Sequence, residues 1–182
     1  EVSQEEYTKV LGENPSELNG KRLPVVNVSS LDALRFSMLL NKKESAPKGW
    51  TFSLPTQAQW EYACRSGTKG RYNWVGDIDP KFTNYDKSEI GSPVSVGSYQ
   101  PNNWGFHDMH GNVWEWTAST FAPFDGFSPD AYKDYSQPVF YETKVLRGGA
   151  WATRSRMITA RHRNFYTPER RDVLAGFRTC SL

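Results

Sequence analysis

The residues best suited to chemistry are few, and one segment stands out among them. The stretch "VLRGGAWATRSRM", residues 145–157, resembles the approach to an active site. In and just after this stretch, the positions where reactive side chains are expected hold Ala150, Thr153 and Ile158. None of the three carries a thiol, a carboxylate or an imidazole. The segment therefore predicts the shell of an active site without its reactive groups.

The histidines and cysteines do not predict a metal centre. His107 and His110 lie in a turn-rich segment with no helix to bring them together, and His162 is distant in sequence, so an iron centre made only from this chain's histidines is not expected. Cys64 and Cys180 are too few for a disulfide framework or a thiolate zinc site, although they could form one pair.

Arginines are concentrated near the end of the chain. Eight of them lie between Arg147 and Arg178, against only Glu169 and Asp172 as acidic residues, which predicts a basic face. We expect several of these guanidinium groups to brace loops by donating to carbonyls and carboxylates. No lysine-rich helix or nucleic-acid-binding motif accompanies them, so a nucleic-acid partner is not expected.

Length and composition predict a single folded domain over residues 1–182. A chain of this size buries roughly 70% of the surface that its unfolded form exposes, and the 14% aromatic content suggests a core built on rings. No run reaches the ~18 apolar residues of a membrane span, and no signal assigns a compartment. Because the chain begins at Glu1, directly at a helix start, we expect it to be a fragment of a longer multidomain protein.

Three short helices are predicted from their end signals. "VSQEEYTKVLG" has a Ser3 cap and a Gly12 stop. "SSLDALRFSMLLNKKE" carries Asp32 in its first turn, and its apolar residues at helical spacing are Leu31, Leu34, Met38 and Leu39. "PTQAQWEYACRSG" starts at Thr56 and ends at Gly67, and the residues on its apolar face are Trp60, Ala63 and Cys64.

After Gly67 the sequence changes to turns separated by short strand-like pieces, namely "SPVSVGSY", "NVWEWTAS", "KVLRGGAWA" and "AGFRTC". Together with the helices, these pieces predict an α+β domain. A long loop-rich segment in a compact domain is unusual, and it indicates binding or stabilisation by an ion.

Three pieces of the chain, in order, strongly resemble the formylglycine-generating enzyme family, also called FGE-sulfatase domains: "LPTQAQWEYACRSG", "WGFHDMHGNVWEW" and "VLRGGAWA…AGFRTC". The resemblance implies a C-type-lectin-like α+β fold with two or three short helices, short antiparallel strands and extensive loops.

The resemblance also implies where copper chemistry would take place. Family enzymes use two cysteines shortly after an RGGS motif to bind Cu(I) and oxidise a substrate cysteine, and soft thiolates suit that ion. Alignment on "RGG" puts Thr153 and Ile158 at the two cysteine positions and Ala150 at the serine. We therefore expect no copper and no formylglycine-generating activity, and favour no catalysis by this chain alone.

Calcium stabilises many family members, and the resemblance implies two sites here. One would use the Asp108 side chain, the carbonyls of Gly111 and Val113, and the Glu115 carboxylate, which are the hard oxygen donors that Ca²⁺ prefers. The alternative is that Glu115 only accepts hydrogen bonds from backbone amides. The second and weaker site would begin at the Asn84 side chain and the Tyr85 carbonyl, with Asp86 or Glu89 as substitutes for missing ligands.

In some relatives, a cysteine at the position of Cys64 forms a disulfide with a cysteine in the final "GFRC" strand. This chain reads "GFRTC", and an offset of one residue turns the side chain to the opposite face of the sheet. Two buried thiols are therefore expected in place of a Cys64–Cys180 disulfide.

The last third has a narrower resemblance, to the C-terminal domain of ergothioneine-type sulfoxide synthases. The similar pieces are "FAPFDGFSPDAYKDYSQPVF", "RGGAWATRSR", "RNFYTPERRDV" and "AGFRTC". In these non-haem iron enzymes the iron histidines come from a separate N-terminal domain. The resemblance implies that Phe165 and Tyr166 border a substrate pocket, that Arg170 meets a substrate carboxylate, and that a missing domain supplies the iron.

Two hypotheses follow. The favoured one is a non-catalytic recognition module, of the kind found fused to serine/threonine kinases, that binds a protein or small molecule in an aromatic and arginine groove. The alternative is the substrate-binding half of a sulfoxide synthase, with the reactive half in an upstream domain of the same polypeptide. The predicted groove residues are Trp104, Trp151, Arg154, Arg156, Arg163, Phe165, Tyr166 and Arg170.

Overall fold

The computed structural model describes residues 1–43, 48–131, 133–135 and 137–181. Within these ranges long loops join three helices and six short strands. The helices are α1 (Gln4–Leu11), α2 (Ser30–Lys42) and α3 (Gln57–Arg65). The strands are β1 (Phe52–Ser53), β2 (Trp114–Thr120), β3 (Lys144–Arg147), β4 (Asn164–Tyr166), β5 (Ala175–Phe177) and β6 (Cys180–Ser181). The predicted α+β class, with short helices and extensive loops, is confirmed.

The helix ends agree with the signals in the sequence. Each helix begins at a reciprocal capping box, in which the cap and the third helical residue bond to each other's backbone N–H; the pairs are Ser3–Glu6, Ser29–Asp32 and Thr56–Gln59. Gly12 ends α1 with a left-handed φ of 83°. Among the described residues, no helix has both the length and the apolar character needed to cross a bilayer.

The predicted apolar side of α2 is wrong. Leu31, Leu34 and Met38 are 51%, 36% and 62% exposed, and Leu39 is half-buried. The buried side is formed by Ala33, Phe36 and Ser37. The predicted side and the observed buried side are made from the same stretch of sequence. The observed side is buried because the aromatic ring of Phe36 packs against rings from α1 and β5.

Aromatic rings join the helices to the sheet, as the composition suggested. Phe36 stacks on Tyr7 of α1 at 5.8 Å and meets Phe177 of β5 edge-on at 5.2 Å between ring centroids. Trp116, at the centre of β2, is fully buried, and its indole Nε1 donates to the Val28 carbonyl at 2.9 Å. These contacts anchor α1 and α2 on one side of β2 and β5.

A four-stranded sheet carries the segments that resembled an active site. Its order is β4-β3-β2-β5, and β1 pairs separately with β6. β2 runs antiparallel to β3, with Glu115 opposite Arg147, and parallel to β5, with Trp116 opposite Phe177. The resemblance implied short antiparallel strands, and the sheet contains one parallel pair besides its antiparallel pairs. The parallel pair is possible because a long connection, which includes β3 and β4, joins β2 to β5.

Three of the four predicted strand segments contain strands, but the one predicted in "SPVSVGSY" is wrong. Its Val94 N–H donates to the Asn112 side chain at 2.9 Å, and its Val96 N–H donates to the carbonyl of Arg22 at 2.8 Å. These backbone N–H groups are therefore bonded to a side chain and to a loop, and are not available to a neighbouring strand.

Both cysteines are free thiols. Cys64 lies in α3, where it is buried against Trp60 and Met109. Cys180 lies in β6, where it is half-buried, with its sulfur 3.7 Å from the Ser53 hydroxyl. The prediction of two thiols is confirmed, except that Cys180 is less buried than expected.

Candidate functional site

The positions implied for the two copper ligands and for the serine of the motif lie in tightly packed structure. Ala150, Thr153 and Ile158 are all buried, and the Ala150 N–H donates to the Thr153 hydroxyl at 2.9 Å. Gly149 has a left-handed φ of 92°, and a Cβ at this residue would overlap the Ile158 Cδ1 atom. The Ile158 side chain and the hydrogen-bonded Thr153 hydroxyl thus occupy the two positions at which thiolates would bind copper.

Arg147, the arginine of the RGG segment, binds the protein itself. Its buried guanidinium donates to Glu61 Oε2 at 2.7 Å and to the carbonyls of Ala160 and Arg161, and it lies 5.2 Å from the centre of the Trp60 ring. Its role is to join α3 to the loop before β4. This agrees with the expectation that several arginines brace loops.

Glu115 is held by an ion pair at the centre of the fold. Arg178 donates to both of its carboxylate oxygens at 2.6 Å, and Trp60 Nε1 donates to Oε2 at 2.7 Å. Burial opposes ionisation, but the Arg178 guanidinium outweighs it and holds the pKa of Glu115 below its usual value. The two oxygens proposed for a cation are therefore already bound to donors.

Asp108 lies close to this pair and differs from it. Its Oδ2 accepts from the Gly97 N–H at 2.7 Å, while its buried Oδ1 has no hydrogen-bond partner among the described residues. Burial raises the pKa of Asp108. Burial also raises the pKa of the nearby Glu1 carboxyl to about 8, and the Asn112 amide donates to that carboxyl at 2.7 Å.

The fit of a calcium ion to the predicted residues is partial. The unpartnered Asp108 Oδ1 is the kind of oxygen that a hard cation would bind, but Arg178 competes for Glu115. Within the described ranges no three His, Cys, Asp or Glu side chains are arranged to hold a metal ion. Calcium binding at Asp108, Gly111, Val113 and Glu115 stays a prediction.

The weaker second site also has one suitable oxygen. Asn84 is buried, and its Oδ1 has no hydrogen-bond partner among the described residues. The Tyr85 carbonyl accepts from the Ser88 N–H at 2.9 Å, and the proposed substitutes Asp86 and Glu89 are exposed. This site also stays a prediction.

Part of the predicted groove forms an aromatic patch next to β4. The Arg163 guanidinium lies 3.9 Å from the centre of the Phe124 ring and 4.7 Å from that of Phe121. Phe121 stacks on Phe165 at 4.3 Å. We use "aromatic patch" for these side chains and the rings that continue from them, which together are Phe121, Phe124, Phe127, Phe140, Tyr141, Arg163 and Phe165.

The structure separates Phe165 from Tyr166, which were predicted to border one pocket. Consecutive residues of a strand point to opposite faces. Accordingly Phe165 contacts Phe121 of the aromatic patch, whereas Tyr166 packs against the main core. Arg170 lies 4.4 Å above the Tyr166 ring and forms an exposed ion pair with Asp172 at 2.7 Å.

The other predicted groove residues lie apart from the patch. Trp104 contacts Tyr62 of α3 at 4.8 Å between centroids, and the backbone N–H of the half-buried Trp151 donates to the Asn112 carbonyl. Arg154 is exposed. Arg156 lines a separate cleft formed by Lys69, Gly70, Arg71, Arg156, Thr159 and Arg161. A binding role for these residues stays a prediction, but they do not share one groove.

A cavity of about 750 Å³ beyond α3 was not predicted from the sequence. Its walls include Trp74, which stacks on Tyr72 at 4.9 Å, and the buried His110, whose Nε2 lies 3.4 Å from the Cys64 sulfur. Burial, together with Arg65 and Arg147, lowers the pKa of His110 to about 3, and burial raises that of Cys64 to about 12. Both groups are therefore neutral near pH 7, unlike an activated thiolate and imidazolium pair.

Comparison with known proteins gives this architecture a family. The protein-family model described as "Sulfatase-modifying factor enzyme 1-like domain" (FGE-sulfatase) matches residues 1–181. The solved structure of Treponema denticola variable protein 1 superimposes with a TM-score of 0.83 at 27% identity, covering 100% of this chain and 81% of that one.

Curated relatives carry several different names. The chain is 39% identical over 136 residues to hercynine oxygenase of Mycobacterium tuberculosis, covering 69% of this chain and 31% of that protein. It is 35% identical over 179 residues to mouse inactive C-alpha-formylglycine-generating enzyme 2, covering 87% and 49%. It is 31% identical over 158 residues to serine/threonine-protein kinase pkn1 of Chlamydia caviae, covering 85% and 23%. The chain thus spans about a third of the hercynine oxygenase and at most half of the other two relatives.

Proposed function

Since the chain belongs to the FGE-sulfatase family, we propose that it is a non-catalytic binding module of a larger protein. The observation that carries the proposal is the packed structure around Thr153 and Ile158. Copper-dependent oxidation of a cysteine needs soft ligands, and this position offers a bonded hydroxyl and an aliphatic side chain instead.

The names of two relatives support this proposal. One is an inactive formylglycine-generating enzyme, so the fold persists without that activity. Another is a serine/threonine kinase, and the region matched by this chain covers only 23% of the length of that kinase. Both agree with a domain that serves a longer polypeptide by binding.

The recognition surface in this proposal is the aromatic patch. Phe124 and Tyr141 are 64% and 72% exposed, and Arg163 lies over the Phe124 ring. Large exposed aromatic surface is rare on a monomer and is typical of interaction sites. Aromatic residues and arginine are also the types enriched in protein interfaces, so we propose a polypeptide as the partner.

A turnover assay tests the absence of catalysis. The domain is supplied with Cu(I) and oxygen together with a cysteine-containing peptide, and the peptide is followed by mass spectrometry. We expect no conversion of cysteine to formylglycine. Conversion that scales with enzyme concentration would overturn the proposal.

A display selection tests the surface. Peptides selected on the wild-type domain are expected to lose binding to Phe124→Ala and to keep it with Tyr62→Ala, a matched change at an exposed ring outside the patch. Equal binding to both variants would remove the aromatic patch from the proposal while leaving the absence of catalysis untouched.

A second candidate is the substrate-binding domain of an iron-dependent sulfoxide synthase, favoured by the 39% identity to a hercynine oxygenase. Its iron would come from another domain. Arg170 lies over the Tyr166 ring, and in this candidate a substrate carboxylate replaces Asp172 in the exposed ion pair of Arg170.

Titration of the domain with hercynine separates the two candidates. Saturable binding that weakens in Arg170→Met without a change in melting temperature would favour the second candidate. The binding-module proposal predicts no saturable binding.

A further inference from the structure

We propose that the cleft between residues 69–71 and 156–161 binds the phosphate group of a phosphorylated ligand. The cleft has a volume of about 440 Å³, and we call it the basic cleft. Four of its six lining residues are cationic, and none is acidic: Lys69, Gly70, Arg71, Arg156, Thr159 and Arg161.

The four cations of the basic cleft have no neutralising partner in the described part of the chain. All four side chains belong to exposed residues, and none of them forms one of the ion pairs found among the described residues. Four like charges around one depression repel each other, and a cleft lined by one sign of charge concentrates counterions. A ligand with several negative charges removes that repulsion.

Hydrogen bonds fix the two walls of the cleft relative to each other. The Ala160 N–H donates to the Arg71 carbonyl at 2.9 Å, which joins the walls directly. Beneath them, Arg65 donates to the Gly70 carbonyl at 2.9 Å, and Arg147 donates to the carbonyls of Ala160 and Arg161. A preformed site loses less conformational entropy when it binds a ligand.

The same bonds occupy carbonyl acceptors around the basic cleft, so the polar groups left free there are mainly hydrogen-bond donors. The carbonyls of residues 70, 71, 160 and 161 already accept hydrogen bonds. Arg65 and Arg147, which lie beneath, share the single carboxylate of Glu61, so one further positive charge remains there. The field of Arg147 also contributes, after burial, to the lowered pKa values of His162 and Arg163.

Phosphate suits this arrangement better than a carboxylate. A phosphate monoester carries close to two charges at neutral pH and presents three acceptor oxygens, and the planar fork of arginine matches its geometry. A single carboxylate supplies one charge against four cations.

The test is a calorimetric titration at constant ionic strength. The probes are inorganic pyrophosphate, a phosphoserine peptide, and the same peptide with aspartate in place of phosphoserine. We expect pyrophosphate to bind the wild type and to bind Arg156→Ala and Arg161→Ala about tenfold more weakly, as expected for the loss of one charge-assisted contact. Both side chains are exposed, so melting temperatures should not change.

Arg154→Ala is the matched control, because Arg154 is exposed but does not line the basic cleft. It should bind as the wild type does. Binding of pyrophosphate without the phosphopeptide would identify a small phosphorylated molecule as the ligand, and tighter binding of the phosphopeptide would identify a phosphorylated protein. The proposal is overturned if no phosphate probe binds, if Arg154→Ala weakens binding equally, or if the aspartate peptide binds as tightly as the phosphopeptide.

Discussion

At the scale of single residues, Arg147 of the RGG segment has a structural role. Its guanidinium is buried between Glu61, Trp60 and the carbonyls that precede β4. Arg147→Met leaves the Glu61 charge with fewer donors and removes the donor of the buried Ala160 carbonyl and of the part-buried Arg161 carbonyl. Because Arg65 still pairs with the partly exposed Glu61, we expect a loss of about 1 to 3 kcal/mol in the free energy of unfolding, measured by urea denaturation. A loss below 1 kcal/mol would show that the bracing role is wrong.

Acid stability should depend on His110. Burial, with Arg65 and Arg147, lowers its pKa from 6.5 to about 3, so between these values the unfolded chain takes up a proton that the folded protein does not. Its contribution to stability is therefore lost as pH falls from 6.5 towards 3, by roughly 1 kcal/mol per pH unit. His110→Phe should flatten the dependence of the urea midpoint on pH over this window. Curves parallel to those of the wild type would contradict this assignment.

The two predicted calcium carboxylates should respond differently to chelation. If Ca²⁺ binds the unpartnered Asp108 Oδ1, Asp108→Ala lowers the melting temperature more in calcium than in chelator, where it loses only the hydrogen bond from Gly97. Glu115→Ala should lower it in both buffers, because it leaves the buried Arg178 unpaired. Equal losses for Asp108→Ala in both buffers would mean that Asp108 is only a structural carboxylate.

At the scale of secondary-structure elements, the buried side of α2 can be tested directly. Phe36 lies between Tyr7 and Phe177, so Phe36→Ala should cost about 3 to 5 kcal/mol of unfolding free energy. Leu31→Ala, the control on the exposed side, should change it by less than about 0.5 kcal/mol. Both losses are measured by urea denaturation. A larger loss for Leu31→Ala than for Phe36→Ala would support the buried side that was predicted from the sequence.

The elements also show what local sequence can and cannot predict. The starts of α1, α2 and α3 were predictable because a capping box is formed by residues three positions apart. The buried side of α2 was not predictable, because apolar residues on both sides, such as Leu31 and Phe36, fit a helical period. Which side is buried depends on contacts with the rings of distant elements. The segment around Val94 looks like a strand, but its donors are taken by Asn112 and a loop.

At the scale of the whole molecule, the family and fold were recognisable from three ordered motifs, whereas the arrangement of the site was not. Phe165 and Tyr166 are adjacent in sequence, yet strand alternation sends them to different faces. Arg156 was expected in the same groove, but the loop fold turns it towards Arg71 and Arg161. These outcomes depend on how long loops cross the surface, and no local pattern encodes that.

The proposed function is binding instead of oxidation, because buried Thr153 and Ile158 stand at the two positions that the family resemblance implies for copper ligands. Its most direct test is a competition titration of the reduced domain against a chromophoric Cu(I) chelator, with Cys180→Ser as a control for the half-buried thiol. We expect the chelator to keep the metal from both proteins. Retention of one equivalent of Cu(I) by the wild type, unaffected by Cys180→Ser, would contradict it.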